Sequence, residues 1–283
     1  MTANARKPRR HAARIGSLCL AAAILLGLPA TPQAETLKLG NEGTFPPFSM
    51  VDSTGKLVGV EPDLAREMCK RMEVECEFVV MDFKALIPSL LQGKFDALVS
   101  QLFPTPERKE KLAFSIPMAY NPQTFVVPAN SQYEWTKAGL SGKGIKLGIQ
   151  RGSAGVAYIQ KLYGDAFTYV YYDNPDQERL DLLAGRITMM FEAKINSTIE
   201  IINKPEGKDW KLDGGDHWVG DPTIPQNERG QSWAVRKGDE ALLARMDAAI
   251  AAIIADCTYT KIRKPYLNIA TLPQDADCMA KGM

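Results

Sequence analysis

The spacing of apolar residues changes period several times along this chain, and each change predicts an element. Residues 37–40 form a short strand-like run. Within 62–72, Leu64, Met68 and Met72 recur at helical spacing, while Glu67, Lys70 and Arg71 are left for water. Cys76 opens the alternating stretch CEFVV, which reads as a strand. Residues 83–91 read as a second helix stopped by Gly93, and 95–99 as a short buried strand. The order then restarts with strands at 144–149, 167–172 and 187–191, separated by helices at 156–163 and 177–184. Residues 232–235 form a late strand, and 241–254 a long amphipathic helix with Leu242, Leu243, Met246 and Ile250 on its apolar side. Helix and strand alternate at βαβ intervals in both halves, without a sequence repeat. Two α/β lobes explain this order better than one large sheet, with 124–127 and 232–235 as the strands crossing between them.

The first fourteen residues hold Arg6, Lys7, Arg9, Arg10 and Arg14 and no acid; residues 15–28 are apolar and small, and 29–34 are short and rich in chain breakers. That order is the order of a secretory signal peptide, with cleavage expected after Ala34. Lobe 1 then takes 35–124 and 232–283, and lobe 2 takes 125–231. Removing residues 1–34 leaves 29 basic residues against 33 acidic ones, a net charge of −4. Such a balance gives no electrostatic reason to expect nucleic acid as a partner. The expected product is a soluble, exported, monomeric protein.

Four cysteines remain after the leader: Cys69, Cys76, Cys257 and Cys278. An even number in an exported chain favours disulfides. Three pairings are possible, and Cys69 with Cys76 and Cys257 with Cys278 is the simplest. There is no CxxC, and His11 and His217 are the only histidines, so neither a metal nor another cofactor is expected. No GxSxG, Walker loop or HExxH occurs. LGIQRGSAG is glycine-rich after a strand but lacks GxGxxG. Tyr169, Tyr171 and Tyr172 share one strand, where sheet packing is expected rather than a cage for a quaternary amine. Residues 210–221 are polar and glycine-rich and read as a loop near a cleft mouth; 273–283 reads as a tail, held by Cys278 if it pairs with Cys257.

Four stretches in order, GTFPPF, GKLVGVEPDLAREMCKRMEVEC, ALIPSLLQGKFDALVS and TPERKEKLAFSIPM, make residues 37 to about 268 resemble the polar amino-acid-binding proteins of bacterial ABC importers, solute-binding family 3. The resemblance implies the type II periplasmic-binding-protein fold, with two lobes on a two-strand hinge and a ligand enclosed between them. It implies delivery to an inner-membrane permease with a cytoplasmic ATPase, periplasmic location, and no catalysis by this subunit. The Cys69 and Cys76 spacing is similar to the local disulfide of lysine, arginine, ornithine and histidine binders. The resemblance places Glu42 and Phe45 after the first strand as a polar and an aromatic wall, and Phe83 on the opposite side of the ligand. A flat aromatic ring suits stacking and attracts a cation to its face. Arg108 is expected to grip a ligand carboxylate, because a guanidinium offers a planar fork of donors to two oxygens. Ser100 belongs to the same carboxylate pocket, and Ser153 adds a donor from the second lobe.

Several positions depart from the family pattern. Gln101 and Phe103 stand where serines or threonines are usual, Ala154 replaces a hydroxyl, and Arg151 replaces a neutral residue. Gly155 stands where basic amino-acid binders carry a side-chain amide. Ala193 occupies the place of the aspartate that holds the ligand α-ammonium; Glu192 is adjacent, but strand alternation points it to the other face unless the chain bends. A buried ammonium without a carboxylate is poorly compensated. These departures resemble the opine-binding branch, whose ligands are N-substituted amino-acid conjugates, with Ala154, Gly155 and Ala193 expected to enlarge the cavity. The competing expectations are an unusual standard amino acid, a non-amino-acid carboxylate, a cationic osmolyte, and an exported cleft enzyme similar to cyclohexadienyl or arogenate dehydratases, with Glu42 or Glu192 as acid.

Overall fold

The structure, a computed structural model, describes residues 1–3 and 35–283; residues 4–34 of the expected leader lie outside it. The chain opens with β1 (Thr36–Asn41), a small antiparallel sheet of β2 (Thr44–Phe45), β3 (Ser49–Val51) and β4 (Leu57–Val58), then α1 (Val60–Arg71) and β5 (Glu75–Val80). Next come α2 (Phe83–Leu91), β6 (Ala97–Leu102), the single turn α3 (Pro106–Lys109) and β7 (Leu112–Ala119). The middle of the chain contributes β8 (Gln123–Pro128), α4 (Lys137–Leu140), β9 (Lys146–Gln150), α5 (Ala154–Tyr163) and β10 (Thr168–Tyr172). It continues with α6 (Pro175–Leu183), β11 (Met189–Ala193), α7 (Lys194–Ser197) and β12 (Trp210–His217). The last elements are β13 (Gln231–Arg236), α8 (Glu240–Ala255), α9 (Thr258–Arg263) and α10 (Pro273–Ala280).

These strands form two five-stranded mixed sheets, ordered β5-β1-β6-β13-β7 and β10-β9-β11-β8-β12. In the first, β1 runs parallel to β5 and β6, and β13 runs antiparallel to its neighbours. In the second, β9 runs parallel to β10 and β11, and β8 runs antiparallel to β11 and β12. Central strands such as β6 and β11 are buried along their whole length, as expected for continuous apolar runs covered by helices on both faces. The edge strand β5 alternates instead. Leu39, Leu64, Met68, Trp233 and Ile250 share the first lobe's core; Phe125, Leu147, Ile149 and Ile159 share the second's. Each such side chain contributes about 1.5–3 kcal/mol by burial.

β8 lies wholly in the second sheet and β13 wholly in the first, so the chain passes between sheets at 120–122 and returns through 218–230. The lobe limits expected at 124 and 231 fall one or two residues inside those strands. Two other expectations need correction. Residues 210–217 are not loop but an edge strand, hidden in the sequence by Gly214 and Gly215, whose positive φ accompanies a register shift between Asp213 and His217. Residues 273–280 are helix rather than an irregular tail, although the expected tether is present: Pro273 starts the helix, buried Asp275 and Cys278 pin it, and Cys278 is bonded to Cys257. The second disulfide joins Cys69 near the end of α1 to Cys76 in β5. β7 and the small sheet were not visible as separate elements in the apolar spacing.

Candidate functional site

In open α/β sheets the carboxyl ends of parallel strands are where loops can aim polar groups at a ligand. Here the carboxyl ends of β1, β6, β9 and β11 lead to or carry Glu42, Phe103, Gln150 and Glu192–Ala193, and these side chains converge on one cavity between the sheets. Nine of the eleven expected ligand residues line it: Glu42, Phe45, Phe83, Gln101, Phe103, Arg108, Ser153, Glu192 and Ala193. Its volume is about 30 Å³, room for roughly one or two waters, so a larger ligand requires the two sheets' ends to part.

Glu42 follows β1 at a turn made possible by Gly43, whose φ of 65° is left-handed and whose N–H donates to Asn41 Oδ1 at 2.7 Å. Both carboxylate oxygens of Glu42 are engaged. Oε1 accepts from Ser100 Oγ at 3.3 Å, and Oε2 accepts from Gln150 Nε2 at 2.8 Å across the gap between lobes. Burial pushes its carboxyl up to about 7, against the hydrogen bond from Gln150 and aided by the charge of Glu192. Ser100 therefore acts one step back from the cavity, through Glu42.

Arg108 is presented by the α3 turn. Thr105 caps it, its Oγ1 accepting from the Arg108 N–H at 3.3 Å, and Pro106 occupies the first turn. Arg108 Nη1 donates to the Phe103 carbonyl and Nη2 to the Gly152 carbonyl of the second lobe, each at 3.0 Å, with the guanidinium 5.9 Å from the Phe83 ring centre. The side chain is partly exposed, yet desolvation of its head lowers the pKa to about 10, which leaves it charged at neutral pH. No carboxylate of the described residues stands within ion-pair distance of it.

Opposite lies an acidic side. Glu192 does line the cavity together with Ala193; its Oε1 accepts from the N–H of Ala193 at 3.0 Å, while Oε2 is buried without a partner among the described residues. Strand alternation alone would point Glu192 to the other face; the side chain instead folds back over the strand's last peptide, the bend that its place among the expected ligand residues requires. Burial raises its pKa, against the bond from Ala193 and the charge of Arg179. Behind it, buried Glu178 on α6 is raised well above the ordinary range by burial and by the charge of Glu192. Glu61, bonded by Trp233 Nε1 at 3.2 Å, is likewise raised by burial.

Arg151 is not in the cavity. Its Nε pairs with Asp173 Oδ1 at 2.7 Å and its guanidinium lies 5.5 Å from the Tyr171 ring centre, because the turn at Gly152 carries the side chain outward. Asp173 also receives Lys84 Nζ at 2.5 Å, joining the lobes at the rim. Ser153 stands at the N-terminal boundary of α5, but its Oγ makes no capping bond and is buried without a partner among the described residues. Gln123, Gln150 and Gln231 line the cavity and were not foreseen. Gln123 and Gln231 are the polar first residues of β8 and β13, and Gln150 is the last of β9. A polar residue at the end of an otherwise buried strand was the available signal. Nor does Gly155 enlarge the cavity, since the Gln123 side chain fills the place beside it.

These carboxyls fix a pH dependence. Glu42 holds its proton to higher pH when folded than when unfolded, so the folded state binds more protons between about 4.5 and 7. Stability consequently falls as pH rises through that window and levels above it. Glu42→Gln is expected to remove this part of the slope, at most about 3 kcal/mol, which Tm against pH without ligand measures for both proteins. Parallel profiles would show that Glu42 titrates like an ordinary exposed carboxylate.

Residues 37–269 match the bacterial extracellular solute-binding proteins, family 3. The lysine/arginine/ornithine-binding periplasmic protein of Escherichia coli is 32% identical over 259 residues, covering 88% of this chain and 96% of its own. The L-arginine-binding protein of Pseudomonas aeruginosa is 30% identical over 260 residues, covering 90% and 96%. An ancestral arginine-binding protein solved with arginine superposes with a TM-score of 0.72 at 32% identity, over 82% of this chain and 98% of that one. Two mixed α/β lobes, two passages between them and a cavity at their strand ends are the type II periplasmic-binding-protein fold, and the chain belongs to the bacterial extracellular solute-binding proteins of family 3.

Proposed function

We propose that this protein is a periplasmic receptor of an ABC amino-acid importer. It encloses an amino acid or an amino-acid conjugate between its lobes and passes it to a membrane permease driven by a cytoplasmic ATPase. The observation that carries this reading is the polarity of the cavity: a guanidinium at Arg108, without a carboxylate partner among the described residues, shares the cavity with the carboxyls of Glu42 and Glu192. A carboxylate on Arg108 and Ser153 and a cationic nitrogen toward Glu192 and Glu42 would complete both sides. The binding partners named for the relatives above, arginine, lysine and ornithine, have that pattern of charge. Phe45, Phe83 and Phe103 supply the apolar walls.

Ala193 favours a second ligand class of the same chemistry, an opine-like conjugate, because a substituted nitrogen needs no carboxylate at that position. Native mass spectrometry of freshly purified protein, followed by identification of the released molecule, separates the two. The expected result is one small carboxylate-bearing amine, recovered unchanged. A transformed product would replace the receptor with a cleft enzyme using Glu42 or Glu192 as acid, and a ligand without a carboxylate would remove the proposed role of Arg108.

A further inference from the structure

Gly155 lies in the first turn of α5, beside the cavity. A β-carbon at that position would come within 2.6 Å of Gln123 Oε1 and 3.2 Å of the Phe191 ring. The space a side chain at 155 would use is therefore occupied by a carboxamide delivered from a different element, the first residue of β8. Gln123 lines the cavity and is only 7% exposed, and its Oε1 is buried with no hydrogen-bond partner among the described residues. In the β8–β11 register it stands opposite Ala193, whose methyl offers the amide no hydrogen-bond partner. A buried amide oxygen left unpaired is unfavourable. Glu192 Oε2, one residue before the partner of Gln123 in that register, is in the same condition, so two unpartnered acceptors belong to residues lining the same cavity.

We propose that Gln123 is a specificity-determining residue of the cleft: its carboxamide oxygen, together with Glu192, receives an N–H of the bound ligand, in the space that a side chain at position 155 would otherwise fill. The ligand class is an N–H-bearing cation, whether ammonium, guanidinium or secondary amine, because the two acceptor oxygens, one of them on a carboxyl group, have no donor among the described residues. Gly155 is required for this arrangement, and Ala193 permits it. This inference rests on the receptor reading above and adds the residue that selects among its ligands.

Isothermal titration calorimetry with L-arginine, L-lysine, L-histidine and octopine tests it on the full mature chain. Wild type is expected to bind at least one of them. Gln123→Ala and the volume-conserving Gln123→Met are both expected to bind that ligand about 10- to 100-fold more weakly and to change the order of preference among the four. In thermal unfolding without ligand, Gly155→Ala is expected to lower Tm in wild type and to be tolerated in the Gln123→Ala background. Wild-type protein that binds none of the four would remove the receptor reading for this class of ligand, and this proposal with it. Binding by wild type with unchanged affinity and order in both Gln123 variants would overturn only the role of Gln123. So would an equal loss for all four ligands in Gln123→Ala that Gln123→Met restores, since that pattern reports packing. Equal effects of Gly155→Ala in both backgrounds would overturn the shared space.

Discussion

Arg108→Ala is expected to weaken binding of the natural ligand by roughly 30- to 3,000-fold, the range for truncating one partner of an enclosed, hydrogen-bonded charge pair. The same substitution should leave the Tm of the ligand-free protein nearly unchanged. Among the described residues the guanidinium bonds only the carbonyls of Phe103 and Gly152, and the desolvation that lowers its pKa to about 10 works against those bonds. Loss of binding with retained stability is the signature of a group kept for a ligand rather than for the fold. Arg108→Lys should recover part of the affinity, because a point charge replaces a planar fork that meets two oxygens. Calorimetry with the ligand released from purified protein, beside thermal unfolding, measures both quantities. Micromolar or tighter binding by Arg108→Ala would remove the carboxylate clamp, and a collapse of Tm would make Arg108 structural.

The contrast between Arg108 and Arg151 shows what the sequence could and could not place. Both precede or follow turns, and both were candidates. Arg108 sits in TPERK, where Thr105 and Pro106 fix one turn of helix, so local chemistry determines its direction. Arg151 precedes Gly152, whose φ of 80° turns the chain and swings the side chain to Asp173 on the outer rim. That outcome depends on a partner 22 residues away, which spacing does not reveal. The helices α1, α2 and α8 were legible because their apolar faces repeat at helical period. β12 was not, because an edge strand with two half-exposed faces and two glycines carries neither period. Gln123 was hidden for a third reason: its importance arises from the space beside Gly155, a relation between two elements that only packing reveals.

Asp275→Ala is expected to destabilise the chain by about 3–5 kcal/mol, because it strands a buried cation, and to lower Tm by roughly 6–20 °C. Arg263 and Asp275 are both fully enclosed, with Nε 2.7 Å from Oδ2. Asp275 Oδ1 also accepts from Arg263 Nη2 and Thr260 Oγ1, each at 2.8 Å, and Oδ2 accepts from the Thr271 N–H at 2.9 Å. Without that carboxylate Arg263 retains the Leu267 carbonyl as an acceptor. Arg263→Met/Asp275→Leu, which removes both charges, should be less destabilised than Asp275→Ala; the reverse order in urea unfolding would show that the charge left unpaired is not what matters. The consequence reaches the cavity between the sheets through Thr271. Its carbonyl accepts from the Tyr120 N–H at 2.8 Å, and its hydroxyl shares a 2.7 Å bond with Tyr259, whose hydroxyl donates to the Met118 carbonyl. Met118 and Tyr120 lead directly into the first passage between the sheets, and Asn121 beyond them is clasped by Gln231 at the end of the return passage, through bonds of 3.1 and 2.6 Å. The C-terminal helix thus braces the point about which the lobes must part. At temperatures where Asp275→Ala is still folded, ligand affinity should fall through this brace, although the residue touches nothing in the cavity.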